Sequence, residues 1–172
     1  KIKKSRKAGK WEPNEFGGDG NVEAISFIKY LNETIYRDFP AVKTIAEEAT
    51  DWPGVSSPTF GGGLGFGMKW LMGWMHDTLK YFKTDPLFRP GEQDTFAFSM
   101  VYFRDENFML PLSHDEVVHG KSPMIYKMPG DDWQKFANLR VLYTYMFTHP
   151  GAKLLFMGNE FGSTSEWNYK SE

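Results

Sequence analysis

The sequence contains no cysteine. Disulfides, zinc–thiolate centres and thiol catalysis are excluded, and the compartment stays open on this ground. Long apolar runs are also lacking. None approaches the roughly 18 residues of a membrane-spanning helix, and the basic start Lys1-Ile2-Lys3-Lys4-Ser5-Arg6-Lys7 has no apolar stretch behind it of the kind a secretory leader carries. No membrane partner is expected. A strong charge of one sign is missing too: 20 Lys and Arg against 22 Asp and Glu leave a formal net charge of -2. Nothing therefore points to nucleic acid, and the basic run reads as a solvated segment. No repeat with a period of about 20–50 residues is visible.

What the sequence has in quantity is aromatic residues, 17% of the chain with six Trp. They indicate either a large aromatic core or ring platforms for the apolar faces of sugars. The 172 residues are enough for one domain with a real core.

Residues 1–20 carry loop signals in Trp11, Pro13 and Gly17-Gly18-Asp19-Gly20. Val22, Ile25, Ile28, Leu31 and Ile35 then recur at helical spacing, with Asn21 or Asp19 as N-cap and Phe39-Pro40 as the stop. A strand is expected over 41–46, a long Gly/Pro/Ser loop over 51–63, and a strand over 64–70. Helix follows over 72–83, with Met75, Leu79 and Phe82 on one face and Asp85-Pro86 as its end. Residues 94–103 are apolar nearly all round and predict a short buried helix, or alternatively a strand. The run 108–112, broken only by Pro111, suits a buried strand. Asp131 caps a helix with the inner stripe Phe136, Leu139, Leu142, Tyr143 and Met146, closed by His149-Pro150-Gly151, and 152–157 forms the last strand.

Strand and helix alternate, which argues for an α/β fold with a parallel sheet. Three apolar runs end in acids: Glu47-Glu48, Asp115-Glu116 and Glu160. Charged groups are costly to bury, and at the carboxyl ends of parallel strands they mark where ligands bind. Four such strands look like half of an eight-stranded barrel. Half a barrel leaves two open sheet edges, so the chain is expected to be a piece of a larger domain.

The run His114-Asp-Glu-Val-Val-His119 invites a metal reading. A zinc-protease helix needs its histidines at i and i+4. Here the spacing is i+5, which turns the second imidazole roughly 140° away, and the metal reading is set aside. Glu47 and Asp115 are better read as a carboxylate pair. Retaining glycoside chemistry needs one carboxylic acid to protonate the leaving oxygen and one carboxylate to attack the sugar. The acid requires a raised pKa, which clustered carboxylates in a semi-buried pocket supply. The plain alternative is that both are surface acids or N-caps.

Several motifs together resemble the bacterial glycogen branching enzymes of the α-amylase clan. They are I-A-E-E-A-T-D-W-P at 45–53, G-G-L-G-F at 62–66, G-W-M-H-D at 73–77, L-S-H-D-E-V-V-H-G-K at 112–121, M-P-G-D at 128–131, W-Q-K-F-A-N at 133–138 and L-F-M-G-N-E-F at 155–161. The resemblance covers nearly the whole chain in order. It implies a (β/α)8 barrel, with residues 1–172 supplying the C-terminal half, about strands five to eight. It implies a cytoplasmic enzyme that moves an α-1,4-glucan segment (glycogen, amylose) to a 6-hydroxyl, with no cofactor.

By the same resemblance Glu47 is the general acid/base. Asp115 holds the 2- and 3-hydroxyls and stabilises the oxocarbenium-like transition state, beside His114, while Trp52 and Glu160 line the cleft. The family's G-x-R-x-D-A nucleophile pattern is absent, and Ser5-Arg6-Lys7-Ala8-Gly9 resembles the segment just downstream of it. The missing N-terminal half is thus expected to complete the site, and Asp19 is no substitute. Leu71 stands where the family has Asn. Two rivals remain: an α-glucan hydrolase or trehalose-forming relative, and a non-catalytic glucan-binding module.

Overall fold

The computed structural model describes residues 13–170; the basic run 1–7 and the segment 5–9 lie outside them. The fold is α/β. Four strands are ordered β1-β2-β3-β4, with β1 (Ile45–Ala46) parallel to β2 (Met68–Trp70) and β3 (Phe108–Leu112) parallel to β4 (Ala152–Leu155). The chain divides into two compact units.

The first unit holds residues 13–69 together with Asp105–Asn107. Its helix α1 (Val22–Asp38) starts where expected: Asn21 Oδ1 accepts the Ala24 N–H at 3.0 Å, satisfying one amide of the first turn. It stops at Phe39, whose N–H reaches the Ile35 carbonyl at 2.7 Å before Pro40 removes the next donor. The expected apolar stripe is only half-buried, and Leu31 is exposed. The residue buried outright on this helix is Asn32, whose Nδ2 donates to the Leu64 carbonyl at 2.8 Å.

The strands expected over 41–46 and 64–70 shrink to two and three residues. Ala41, Val42 and Lys43 face solvent, and the Thr44 N–H is taken by the Tyr36 hydroxyl at 3.1 Å. Gly65 sits at φ +80, outside the extended region, so β2 cannot begin before it. Register pairs Ile45 with Met68 and Ala46 with Lys69. Ala46, Val55 and Leu64 form the small core, with Ile25, Ile28, Trp52 and Phe66 packed around it.

The second unit holds residues 70–104 and 108–170. Helix α2 (Met72–Lys83) buries Trp74, Met75, Thr78, Leu79 and Phe82, as its spacing predicts. The buried helix expected over 94–103 is a correction. Only Gln93–Ala97 is α-helical (α3), a 3-10 turn continues to Val101, and Phe98, Met100 and Val101 are exposed. So short a helix points a single turn inward: Phe96 stacks on Tyr81 at 4.2 Å and Ser99 is buried, while Phe98, Met100 and Val101 face water.

Helix α4 (Asp132–Thr148) opens with a reciprocal capping box, Gln134 N–H to Asp131 Oδ1 and Asp131 N–H to Gln134 Oε1, both 2.8 Å. Leu139, Leu142 and Met146 are buried, whereas Phe136 lies at the exposed edge of the stripe. β3 and β4 pair from Met109–Ala152 to Leu112–Leu155. The last strand ends at Leu155 rather than at residue 157, because Gly158 at φ +88 turns the chain.

His149 closes α4 and titrates against folding. Its Nδ1 lies 2.8 Å from the Pro150 carbonyl oxygen, which only accepts, so Nδ1 carries the proton and Nε2 accepts from the Ser99 hydroxyl at 3.1 Å. Burial lowers the His149 pKa. The unfolded chain therefore binds the extra proton first, and stability declines as pH falls below the ordinary histidine value of about 6.5. The expected result is a drop in the urea midpoint between pH 7.5 and 5.5 that is smaller in His149→Gln than in the parent.

Candidate functional site

In the first unit, β1 delivers Glu47 directly after the buried Ala46, and Glu47 is exposed. Glu48 is half-buried and turns back, its Oε1 accepting the Thr50 N–H at 2.9 Å. The two members of the acidic pair are thus distinguished by the backbone: Glu48 closes a turn, and Glu47 stands clear of it. Lys69, buried on β2 in register with Ala46, donates to the Thr50 carbonyl at 3.0 Å and ties this turn to the strand. Trp52 is half-buried against Gly20, where a Cβ would come within 3.0 Å of the indole. One side of the ring is core, and the remainder is open.

The long Gly/Pro/Ser loop is ordered by its own backbone. Leu64 N–H meets the Gly54 carbonyl at 2.9 Å, Gly65 N–H meets Ser57 at 3.0 Å, and Phe66 N–H meets Val55 at 3.2 Å. Glu106 anchors it, accepting the amides of Val55 at 2.8 Å and Ser56 at 2.7 Å and the Ser56 hydroxyl.

In the second unit, β3 ends in a 3-10 turn, His114–Glu116. Glu116, buried, accepts both the N–H and the hydroxyl of Ser113, at 2.5 and 2.8 Å, and the Ser113 Oγ accepts the Asp115 N–H at 3.2 Å. This capping box holds the turn so that His114 and Asp115 remain part-exposed, with His114 Nε2 3.2 Å from Asp115 Oδ1. The His114 ring meets Trp167 edge-on at 5.4 Å and Phe156 at 6.0 Å. Asp115 also lines a cavity of about 210 Å³ with Glu116, His76, Lys83, Lys121 and Lys127. Burial, then the neighbouring Lys83, pushes the Lys127 ammonium down. The lysines place positive potential beside the carboxylate.

Glu160 lies in the 3-10 turn Asn159–Phe161 after β4 and is exposed; with burial, it raises the pKa of Tyr143, whose hydroxyl donates to the Asn159 carbonyl at 2.6 Å. The two histidines of the 114–119 run turn to different carboxylates: His119 Nδ1 is 3.0 Å from Glu166 Oε2. The Gly120 and Ser122 amides, at 3.0 and 2.8 Å, hold the Glu166 carboxyl below its usual range.

No family model matches the chain. Individual proteins do. Over 94% of its length it is 62% identical to the 1,4-alpha-glucan branching enzyme GlgB of Aquifex aeolicus (strain VF5), covering 26% of that protein. It is 59% identical over 97% of its length to the enzyme of that name from Aromatoleum aromaticum, covering 26% of it. The like-named protein of Thermosynechococcus vestitus is 60% identical over 97% of the chain, which covers 22% of it. Each of these relatives bears the name 1,4-alpha-glucan branching enzyme, and the chain is similar to one segment of them. It spans about a quarter of the length of the relatives it matches.

Within this segment, three supporting residues escaped the sequence reading. Lys69, Glu106 and Glu166 each bind backbone groups: Lys69 the Thr50 carbonyl, Glu106 the Val55 and Ser56 amides, and Glu166 the Gly120 and Ser122 amides. The signals were weak: a charged residue inside the apolar run 68–72 (Lys69), and acids beside Asn107 and Trp167. Leu71, where the branching-enzyme motif has Asn, is the N-cap residue of α2; it makes no capping hydrogen bond and is packed in the core instead.

Proposed function

We propose that the protein containing this chain is a 1,4-α-glucan branching enzyme of the α-amylase clan, and that residues 1–172 are about strands five to eight of its catalytic (β/α)8 barrel. The identity over nearly the whole chain carries the reading. Its structural support is local. Glu47 follows β1 directly, while His114 and Asp115, 3.2 Å apart at Nε2 and Oδ1, follow β3 after one residue. These are the carboxyl ends of parallel strands, where such folds present reacting groups.

In this reading Glu47 is the general acid that protonates the departing glycosidic oxygen as a carboxylate from outside this chain attacks the anomeric carbon. The α-1,4 bond breaks and a glycosyl-enzyme forms. Glu47, now ionised, then takes the proton of an incoming 6-hydroxyl, whose oxygen displaces the enzyme carboxylate to make the α-1,6 bond. Asp115, with His114, holds the 2- and 3-hydroxyls and stabilises the oxocarbenium-like transition state. Trp52 offers its open ring face, and Glu160 its exposed carboxylate, to the glucan chain. Glycogen and amylose are the substrates, and the cytoplasm is the site of action.

Incubation of the intact protein with amylose, followed by counting α-1,6 linkages and reducing ends, tests the reading. The expected result is a rise in α-1,6 linkages without an equal rise in reducing ends, and no turnover from residues 1–172 alone. Reducing ends in step with bonds broken would mark a hydrolase. Saturable maltooligosaccharide binding with no turnover by the intact protein would mark a binding module.

A further inference from the structure

We propose that Glu166 is a positioning residue for the His114–Asp115 pair, acting through the turn 117–122 and through Trp167. The inference rests on the glucan-transfer reading above. Val117 and Val118 follow the His114–Glu116 turn immediately, and both are bound to the segment that carries Glu166. The Trp167 N–H donates to the Val117 carbonyl at 2.9 Å, and Val118 and Trp167 form a parallel bridge. The indole brought in by that bridge is the surface on which His114 rests edge-on at 5.4 Å, and Phe156 backs the indole at 5.3 Å. The orientation of His114, and through its 3.2 Å contact that of Asp115, therefore depends on where Trp167 is held.

Glu166 does the holding. The turn it grips is an unfavourable one: Gly120 lies at φ +86 and Ser122, which has a side chain, at φ +66. Their amides converge on the two oxygens of one carboxylate, a concave pair of N–H groups of the kind that binds an anion. His119 adds a 3.0 Å contact from an imidazole 85% exposed, where any charge attraction is weak, so the two amides are the stronger tie. Glutamine at this position keeps the shape but turns an N–H₂ group toward one of two backbone donors.

The test uses the intact protein, with amylose as substrate, and separates kcat from KM. Glu166→Gln is expected to lower kcat roughly ten- to hundredfold, the size of effect that follows a displacement of about 1 Å at a reacting group. KM and melting temperature stay close to those of the parent, Glu166→Asp recovers part of the loss, and His119→Ala keeps nearly all activity. Trp167→Phe, which retains the backbone bridge, lowers kcat severalfold and serves where a Glu166 variant does not fold. Parental kcat in a folded Glu166→Gln overturns the proposal, as does a loss that tracks only the amount of folded protein; where no Glu166 variant folds, parental kcat in Trp167→Phe overturns it. Asp115→Asn separates the two levels. If it is inactive while Glu166→Gln is fully active, only the positioning role fails. If it turns over like the parent, the glucan-transfer reading of the pair fails, and this inference with it.

Discussion

Glu47→Gln is expected to slow branching by the intact protein about a thousandfold, within the ~10²–10⁴-fold span of general acid–base catalysis, and to leave its unfolding midpoint unchanged. Both halves follow from the place of the side chain. It is exposed immediately beyond β1 and holds no hydrogen bond or ion pair to another described residue, so an isosteric amide removes a proton donor without removing a structural contact. Glu48→Gln is the matched control. Its carboxylate closes the turn onto the Thr50 amide, and an amide oxygen can still accept that bond, so turnover should stay near the parent's. Rates from the fall in iodine-stained amylose absorbance decide it. A thousandfold loss in Glu48→Gln with Glu47→Gln near the parent would mean that the reacting acid has been assigned to the wrong member of the pair.

Trp74→Ala is expected to cost about 3–5 kcal/mol of stability, the range for deleting a large buried ring. Trp74 is fully buried near the N-terminus of α2, stacked on Tyr145 at 6.2 Å with His149 at 6.0 Å beyond it, so α2 and α4 meet on this ring. Few neighbours are free to collapse into the space, since Tyr145 is itself held against Phe96 at 4.3 Å. Urea unfolding gives the number. A loss under about 0.5 kcal/mol, typical of surface positions, would show that the α2–α4 contact survives on its aliphatic residues alone.

Sequence reasoning succeeded where periodicity or capping chemistry dominates. Helix α4 shows both, with Asp131 at its head and Leu139, Leu142 and Met146 along its inner face. It overreached where an apolar stretch had nowhere to be buried. Residues 94–103 are apolar on all sides, yet a five-residue helix presents one inward turn, and Phe98, Met100 and Val101 are left outside. Strand lengths were overestimated for a different reason: the Tyr36 hydroxyl and the positive φ of Gly65 end the ladder of β1 and β2 early, and neither is a matter of hydropathy. The residues proposed to react could be named from sequence because they stand in contiguous motifs, as in the 112–121 run. The carboxylates that shape the backbone around them were not, because Glu106 reaches Val55 and Ser56, and Glu166 reaches Gly120 and Ser122, across sequence distances that no local pattern encodes.

The loop 54–66 is knotted to itself at the base by the Gly54–Leu64 bond, while Phe60 at its far end is 95% exposed. A chain stapled at its neck and bare at its crown is a natural port for grafting. Foreign peptide spliced beside Phe60 has to close only a loop whose ends are already fixed together, and each doubling of its length adds only about 0.6 kcal/mol of closure entropy. A reporter or an extra carbohydrate-gripping segment can therefore be mounted there without disturbing the strand that carries Glu47.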